Sequence, residues 1–257
     1  MKSHFKGLLT AALCLHLLPA SAQFGGMGIG GGAAPQFTGA MTKLFSNNSA
    51  FTAMVETQAR MAGESMTITI PGKIAFDSGK SRLDIELSQM KGMPMPPEIL
   101  AKMKEMGMDK MAMLSRPDKK LSYMIYPGMK SYAEMPMEDP DAAKPESAFK
   151  LEKTELGKET VDGHPCVKYK ATVSDDKGVK HEFTVSNATD LKDFPVKIEF
   201  TEEGTAVTML MKNVKLAKPD AAQFDPPADF KKYDMAQLQQ EMMKKMMEGM
   251  GAPGAAK

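Results

Sequence analysis

The stretch of sequence that decides the fold class is short: residues 82–87 read Arg-Leu-Asp-Ile-Glu-Leu. Successive side chains of a β strand point to opposite faces, so this period of two gives one charged face and one apolar face. The same alternation recurs at residues 196–201, which read Val-Lys-Ile-Glu-Phe-Thr. Strands of this kind are typical of antiparallel sheets with water on one side. The pattern therefore predicts a mainly β protein.

Further strand patterns extend from these two segments in both directions. About eleven of them lie between residues 50 and 214, separated by turns rich in Asp, Gly and Pro such as 77–80 and 175–178. Short turns between successive strands favour one antiparallel sheet. A sheet with one apolar face has to bury that face, and it does so by curving around an interior. We therefore expect an α+β protein built on a single curved sheet that forms an open half-barrel.

Three segments depart from the period of two and have helical spacing. Apolar residues recur on one face in 36–47, and a second face carries Ile99, Met103 and Met106 at positions i, i+4 and i+7. The third segment, 234–250, places most of its methionines on one side. The first two are predicted to act as lid helices over the sheet. The third is predicted to be a C-terminal helix.

The amino terminus has the features of a secretory signal peptide at residues 1–22. Lys2 and Lys6 precede a short apolar run, and small residues precede a cleavage site after Ala22. The apolar run is too short to span a bilayer. A lipoprotein signal around Cys14 fits less well, because too few apolar residues precede it. We expect a protein of the periplasm or the extracellular space, with the outer membrane as a site of association.

Removal of the signal peptide changes the charge and the cysteine content. The full chain has 33 basic and 32 acidic residues, and without Lys2 and Lys6 the net charge is −1. A nearly neutral chain without a basic stripe excludes nucleic acid as a partner. Cys166 becomes the single cysteine, which excludes an internal disulfide. The predicted organisation is a signal peptide at 1–22, a Gly-rich linker at 23–36, a half-barrel domain at 37–230, and a Met-rich C-terminal helix with a flexible tail at 231–257.

Methionine is the one residue type out of proportion, with 26 in 257 residues. Twelve lie in 90–137 and six in 235–250. One interpretation is that they replace Leu and Ile in a core. Another is that they form an adaptable apolar lining, because the side chain is unbranched and polarisable. A third alternative is a Cu(I) or Ag(I) site, since thioethers are soft ligands. The paired methionines proposed for such a site are Met93, Met95, Met135 and Met137.

Motifs for catalysis and for nucleotide binding are absent from the sequence. No Walker A, G-x-S-x-G or H-E-x-x-H pattern occurs. His164 and His181 are separated by a predicted strand and have no visible third ligand. Cys166 is interpreted as a half-buried strand residue that behaves as a small hydrophobe. We therefore expect neither an enzyme nor a cofactor.

The order of the predicted elements is helix, three strands, helical insert and a long antiparallel meander. Several short motifs occur in the same order: Ser-Ala-Phe-Thr-Ala at 49–53, Arg-Pro-Asp-Lys-Lys at 116–120, Val-Asp-Gly-His-Pro-Cys-Val-Lys-Tyr at 161–169, Phe-Pro-Val-Lys at 194–197, and the spaced Asp220, Phe224 and Pro227. Together they resemble the periplasmic lipoprotein-carrier (LolA/LolB-like) superfamily. More narrowly, the chain resembles an uncharacterised secreted bacterial domain family related to it.

The resemblance implies an unclosed barrel whose helices cover an apolar cavity that holds acyl chains. The expected function is therefore a periplasmic or envelope binding protein for an acyl chain or another hydrophobic ligand. The alternatives are a Met-rich Cu(I) or Ag(I) protein and an envelope scaffold that binds another protein. No transmembrane span is expected. The residues predicted to line the cavity and its lid are Leu83, Ile85, Ile99, Met103, Met106, Met111 and Met113.

Overall fold

In the part of the chain that the structure describes, twelve β strands form one sheet that curves without closing into a barrel. In sheet order they are β12-β6-β5-β4-β3-β2-β1-β11-β10-β9-β8-β7. All neighbours are antiparallel except β12 and β6, which are parallel. The strands are β1 (Ala50–Met61), β2 (Thr67–Asp77), β3 (Lys80–Glu86), β4 (Lys110–Arg116), β5 (Leu121–Tyr126), β6 (Ser131–Pro136), β7 (Lys150–Val161), β8 (His164–Ser174), β9 (Lys180–Ala188), β10 (Phe194–Glu202), β11 (Thr205–Lys215) and β12 (Lys231–Tyr233).

The computed structural model describes most of the predicted half-barrel domain. The described residues are 39–45, 47–61, 63, 66–92, 96–137, 144–202, 204–234 and 240. The predicted signal peptide with its cleavage site, the Gly-rich linker and the methionine pair Met93 and Met95 lie outside them. Most of the predicted C-terminal helix also lies outside, although Gln240 is helical. Among the described residues, no helix has the length and apolar character needed to cross a bilayer.

Short helices accompany the sheet. Helix α1 (Gly39–Thr42) continues into a 3-10 turn at Lys43–Phe45, so the described part of the first predicted helix, 36–47, contains helical structure. Helix α2 (Pro97–Glu105) lies between β3 and β4, as the sequence predicts, and begins with a proline, which the first helical turn tolerates. Further 3-10 turns are Leu87–Gln89, Pro117–Lys119, Pro127–Met129, Glu146–Ala148, Thr189–Leu191 and Ala221–Phe224.

The open half-barrel expected from the alternating pattern is confirmed, and the strand register explains how it arises. We call the face that carries Ile74 the inner face, and the face that carries Arg82 the outer face. Ile74 lies opposite both Ala53 and Leu83, whereas Arg82 lies opposite Ala75. Paired residues share a face, so the apolar set of each strand joins that of its neighbour. A slip of one residue would turn every member of the set outward.

A cluster of four phenylalanines fixes one end of the inner face. The ring of Phe45, just after α1, lies 5.0 Å from that of Phe51, 5.9 Å from that of Phe76 and 5.5 Å from that of Phe194. All four side chains are fully buried. Aromatic contacts at these distances add to the stability provided by apolar burial. The cluster therefore connects the N-terminal helical turn to β1, β2 and β10.

The outer face is polar over most of the sheet, but it is apolar at β4 and β5. A buried cluster there contains Ala112, Leu114, Tyr123 and Ile125, with Phe230 packed against it. Residues 216–230, which we call the crossing segment, follow β11 and cover this region. Two arginines donate hydrogen bonds to backbone carbonyls of this segment. Arg82 donates to the carbonyl of Gln223 at 3.2 Å, and Arg116 donates to the carbonyl of Phe224 at 2.9 Å.

Arg116 is the most strongly bonded residue of this arrangement. Its guanidinium makes two parallel bonds to Asp118, at 2.9 and 2.8 Å, and it also donates to Asp225. Lys119 pairs with the same Asp225 carboxylate at 2.7 Å. Hydrogen bonds from Arg116 hold the pKa of both carboxyl groups below the ordinary value, and Asp118 raises the pKa of the guanidinium. The bonds tie the crossing segment to the β4–β5 turn.

The crossing segment delivers the chain to the free edge of β6, where β12 forms. The backbone nitrogen of Lys231 donates to the carbonyl of Lys130 at 2.9 Å, and Lys232 pairs with Glu134 at 2.8 Å. Residues 231–233 precede the predicted helical pattern at 234–250 and form a strand that the sequence does not predict. The reason is tertiary: the open edge of β6 supplies backbone partners that three residues cannot provide for themselves.

The Arg116 bonds give the first prediction. We expect Arg116→Met to lower the free energy of unfolding by about 2 kcal/mol, because two carboxylates lose a partly buried partner. Arg82→Met is the comparison variant, since Arg82 lies on the same face, has a side chain 20% exposed against 10% for Arg116, and pairs with one carboxylate instead of two. That variant should cost less than about 1 kcal/mol. Urea unfolding measures both values, and equal losses would contradict the role assigned to Arg116.

A second prediction concerns acid. A carboxyl group with a lowered folded-state pKa stabilises the protein above its unfolded pKa of about 3.9, and this stability is lost as the pH falls toward the folded value. Wild-type protein should therefore lose stability between about pH 5 and about pH 3. Asp225→Asn should lose less over the same interval, because one of the linked carboxyl groups is gone. Urea midpoints at both pH values test this, and identical acid slopes would refute it.

Candidate functional site

The register brings four of the predicted lining residues together on the inner face. Leu83 of β3 lies directly opposite Met113 of β4, and Ile85 lies opposite Met111. Leu83, Ile85 and Met111 are buried, whereas Met113 is half-buried. Directly opposed side chains in an antiparallel pair are in contact range. These two pairs form a continuous apolar surface of four side chains.

The other three predicted lining residues lie in or just after α2. Ile99, Met103 and Met106 are all half-buried, and α2 has no fully buried residue. The connection that contains α2 is held at its two ends. Lys91 and Thr69 exchange backbone hydrogen bonds of 2.9 Å, and Gly107 packs so closely on Gly128 that a side chain at Gly107 would collide with it. The role of α2 as a lid remains a prediction.

Methionines from four strands converge on the inner face. Met113 and Met124 lie directly opposite one another on β4 and β5. Met209 and Met211 of β11 face the same side through their pairing with Thr57 and Val55 of β1. Among the strand residues whose side chains the structure describes, register places six methionines on this face: Met111, Met113, Met124, Met135, Met209 and Met211.

The sequence did not assign Met124 to the lining. The reason is that β5 reads Leu-Ser-Tyr-Met-Ile-Tyr, which is apolar on both faces, so alternation could not tell its inner side from its outer side. Of the residues proposed for a soft metal, Met135 and Met137 are half-buried at the end of β6. Among the described residues, no group of three or more His, Cys, Asp or Glu is arranged to hold a metal ion.

The two described helices differ in how deeply they are buried. Helix α1 and its 3-10 turn are buried against the sheet, whereas α2 has no fully buried residue. The inner face is apolar and belongs to a curved sheet. A surface of this kind has to be filled by its own side chains or by a ligand. Unbranched methionines suit it, because they adapt their rotamers to irregular space.

Two hydroxyl groups interrupt the apolar surface near the β5–β6 turn. Ser131 lies opposite Tyr126 on the inner face and is 1% exposed, yet its Oγ has no hydrogen-bond partner among the described residues. The Tyr126 hydroxyl donates to the sulfur of Met124 at 2.8 Å, and burial raises its pKa. A thioether is a weak acceptor and a buried hydroxyl without a partner is costly. The pair can hydrogen-bond a carbonyl or hydroxyl of a ligand.

Catalytic chemistry finds no support around Cys166. The residue is buried, its thiol donates to the carbonyl of His164 at 3.3 Å, and burial raises its pKa. A thiol with a raised pKa is a poor nucleophile. The His164 ring pairs with Asp190 at 2.8 Å, at the start of β8. His181 faces Val173 near the opposite end of that strand, about 30 Å away at 3.3 Å per residue, so the two histidines do not meet.

Comparison with known proteins gives one family match and several similar structures. Residues 66–192, from the start of β2 to just after β9, match the model of a domain of unknown function, DUF4412. The search of curated proteins finds no match.

The similar structures have low sequence identity. A LolA superfamily protein from Nitrosomonas europaea is 11% identical, over 75% of this chain and 98% of that one, with a TM-score of 0.39. The Mycobacterium tuberculosis lipoprotein LppX is 10% identical, over 68% and 92% of the two chains, with a TM-score of 0.38. A Pseudomonas aeruginosa MucA/MucB complex is 12% identical, over 74% and 61%, with a TM-score of 0.35. The superfamily predicted from the sequence is thus represented among the structures to which this chain is similar.

Proposed function

We propose that the protein is a non-enzymatic binding protein that holds an acyl chain, or another elongated apolar ligand, against the inner face of its sheet. The observation that carries the proposal is the convergence of six methionines from β4, β5, β6 and β11 on that face. Apolar residues of β2 and β3, such as Ile74 and Leu83, join the two groups of methionines. The surface therefore offers a continuous apolar track across the sheet.

Burial of apolar area supplies the affinity. Each methylene removed from water contributes about 0.8 kcal/mol, so about ten methylenes would contribute about 8 kcal/mol before the cost of association is subtracted. The thioether side chains allow the same surface to repack around chains of different length, which favours a broad rather than a narrow specificity. The hydroxyls of Tyr126 and Ser131 add a place where one polar group of the ligand can be accommodated.

The apolar track is most accessible on the β4–β6 side. Met113 and Met135 are half-buried, whereas Met209 and Met211 are each 1% exposed. A ligand that entered beside β4 and β6 would first contact the two more exposed methionines. It could then move toward β11, where the side chains are fully covered.

The predicted signal peptide supports placing this function in the periplasm or outside the cell. A lipid-binding role suits that compartment, because apolar chains need cover when they leave a membrane. Association with the outer membrane and with an envelope protein that delivers or receives the ligand belongs to the same proposal. Nucleic acid has no part in it.

A third prediction tests the inner face directly. Met113→Gln should weaken the binding of a fluorescent fatty-acid probe about tenfold, because it places an amide on a half-buried apolar surface. Met54→Gln is the matched control, since Met54 lies on the outer face of β1 and is 38% exposed. That change should leave the affinity as it is. Probe titration measures both, and equal effects of the two substitutions would place the ligand elsewhere.

The nature of the natural ligand is tested with protein isolated from its own cell envelope. Native mass spectrometry should detect co-purified lipid, and the fatty-acid probe should displace it. Protein that carries no lipid and binds no probe would contradict the proposal and favour an envelope scaffold. An anaerobic Cu(I) titration of the same sample addresses the thioether alternative. Affinity above that of a scrambled methionine-containing peptide would support a metal site instead.

A further inference from the structure

The edge strand β7 brings charge to the border of the inner face. Lys153 lies opposite Ala171 of β8, which in turn lies opposite Phe183 of β9. Phe183 and Phe200 contact each other with ring centroids 5.8 Å apart. The same face continues through Val207 of β11 to Ala59 of β1. Lys153 therefore stands where the apolar inner face ends.

The side chain of Lys153 is directed along this surface. Its Nζ lies 5.3 Å from the centroid of the Tyr169 ring, a cation–π distance. Tyr169 is half-buried and lies opposite Val185, which is next to Ile198 across the following strand pair. Although the residue as a whole is exposed, the protein atoms around the ammonium desolvate it and lower its pKa. The ammonium thus lies over an aromatic surface that is partly withdrawn from water.

Lys153 also differs from its neighbours in having no carboxylate partner. On the outer face, Lys170 pairs with Glu182 at 3.0 Å and Lys197 with Glu199 at 2.9 Å. Within the described part of the chain, no ion pair joins Lys153 to an acidic side chain, while the charge of Asp193 acts on the ammonium and raises its pKa. A partly desolvated cation without a salt-bridge partner favours the approach of an anion.

We infer that Lys153 binds the anionic head group of the ligand, so that the protein takes acyl chains that end in a carboxylate or a phosphate. The inference rests on the proposed function, since it concerns one end of the same ligand. With its head at Lys153, the acyl chain runs past Tyr169 toward the inner-face methionines. Four strand spacings of about 4.8 Å separate β7 from β11, which gives a path of about 19 Å.

The experiment compares charged and uncharged ligands on two lysine variants. Lys153→Met should weaken the binding of oleate about 5- to 10-fold and leave that of methyl oleate unchanged. The reason is that only oleate has a negative charge with which the Lys153 ammonium can pair. Lys150→Met is the matched control: Lys150 lies on the same strand, is exposed, and by alternation faces the outer side. It should change neither affinity. Salt should weaken oleate binding by wild type more than by Lys153→Met.

Lysophosphatidylglycerol serves as the phosphate probe in the same assay. A loss for oleate assigns the carboxylate and a loss for the lysolipid assigns the phosphate, and either supports the inference. Equal binding of both anions by Lys153→Met and wild type would overturn it. If wild type bound oleate and methyl oleate equally and Lys153→Met changed neither, only the head-group assignment would fail. If wild type bound none of the probes, the proposed function itself would fail.

Discussion

The pairing of the central strand β1 with β2 and β11 fixes where every side chain of the inner face lies. Phe51, Val55 and Thr57 of β1 oppose Phe76, Gly72 and Ile70 on one side. Val55 and Thr57 oppose Met211 and Met209 on the other. Because the side-chain period of a strand is two, one register keeps the phenylalanine cluster, the methionines and the isoleucines on a single face. The candidate site therefore results from register rather than from any local motif.

Strands β4 and β5 have a second constraint, since they are apolar on both sides. Met113 and Met124 face inward, whereas Leu114 and Tyr123 form the outer cluster. An apolar outer surface needs cover, and the crossing segment provides it under the control of Arg116. The two layers are thus coupled through the same two strands. A change that loosens the outer cover would be transmitted to the methionines behind it, because closely packed side chains share their contacts.

Alternation was enough to predict the half-barrel and the shared face of Leu83 and Ile85, because β3 has one clearly apolar side. Three features were beyond its reach. The face on which Met124 lies could not be predicted, because β5 is apolar on both faces. Strand β12 has three residues, which are too few to show a period of two. Lys153 looks like any lysine of a solvated strand. Its place beside Tyr169 depends on which strands become neighbours, and that is a property of the whole sheet.

The sheet order also has a consequence for how the chain is assembled. Strands β1 to β6 pair with their neighbours in sequence, as do β7 to β11, so each group is a meander of local contacts. The long β1–β11 seam joins the groups and brings residues 52 and 215 together. Closing so long a loop is slow compared with forming hairpins. Until β11 has been synthesised and has paired with β1, the two meanders expose their edge strands. A chaperone or a membrane surface would then contact them as two separate half-sheets.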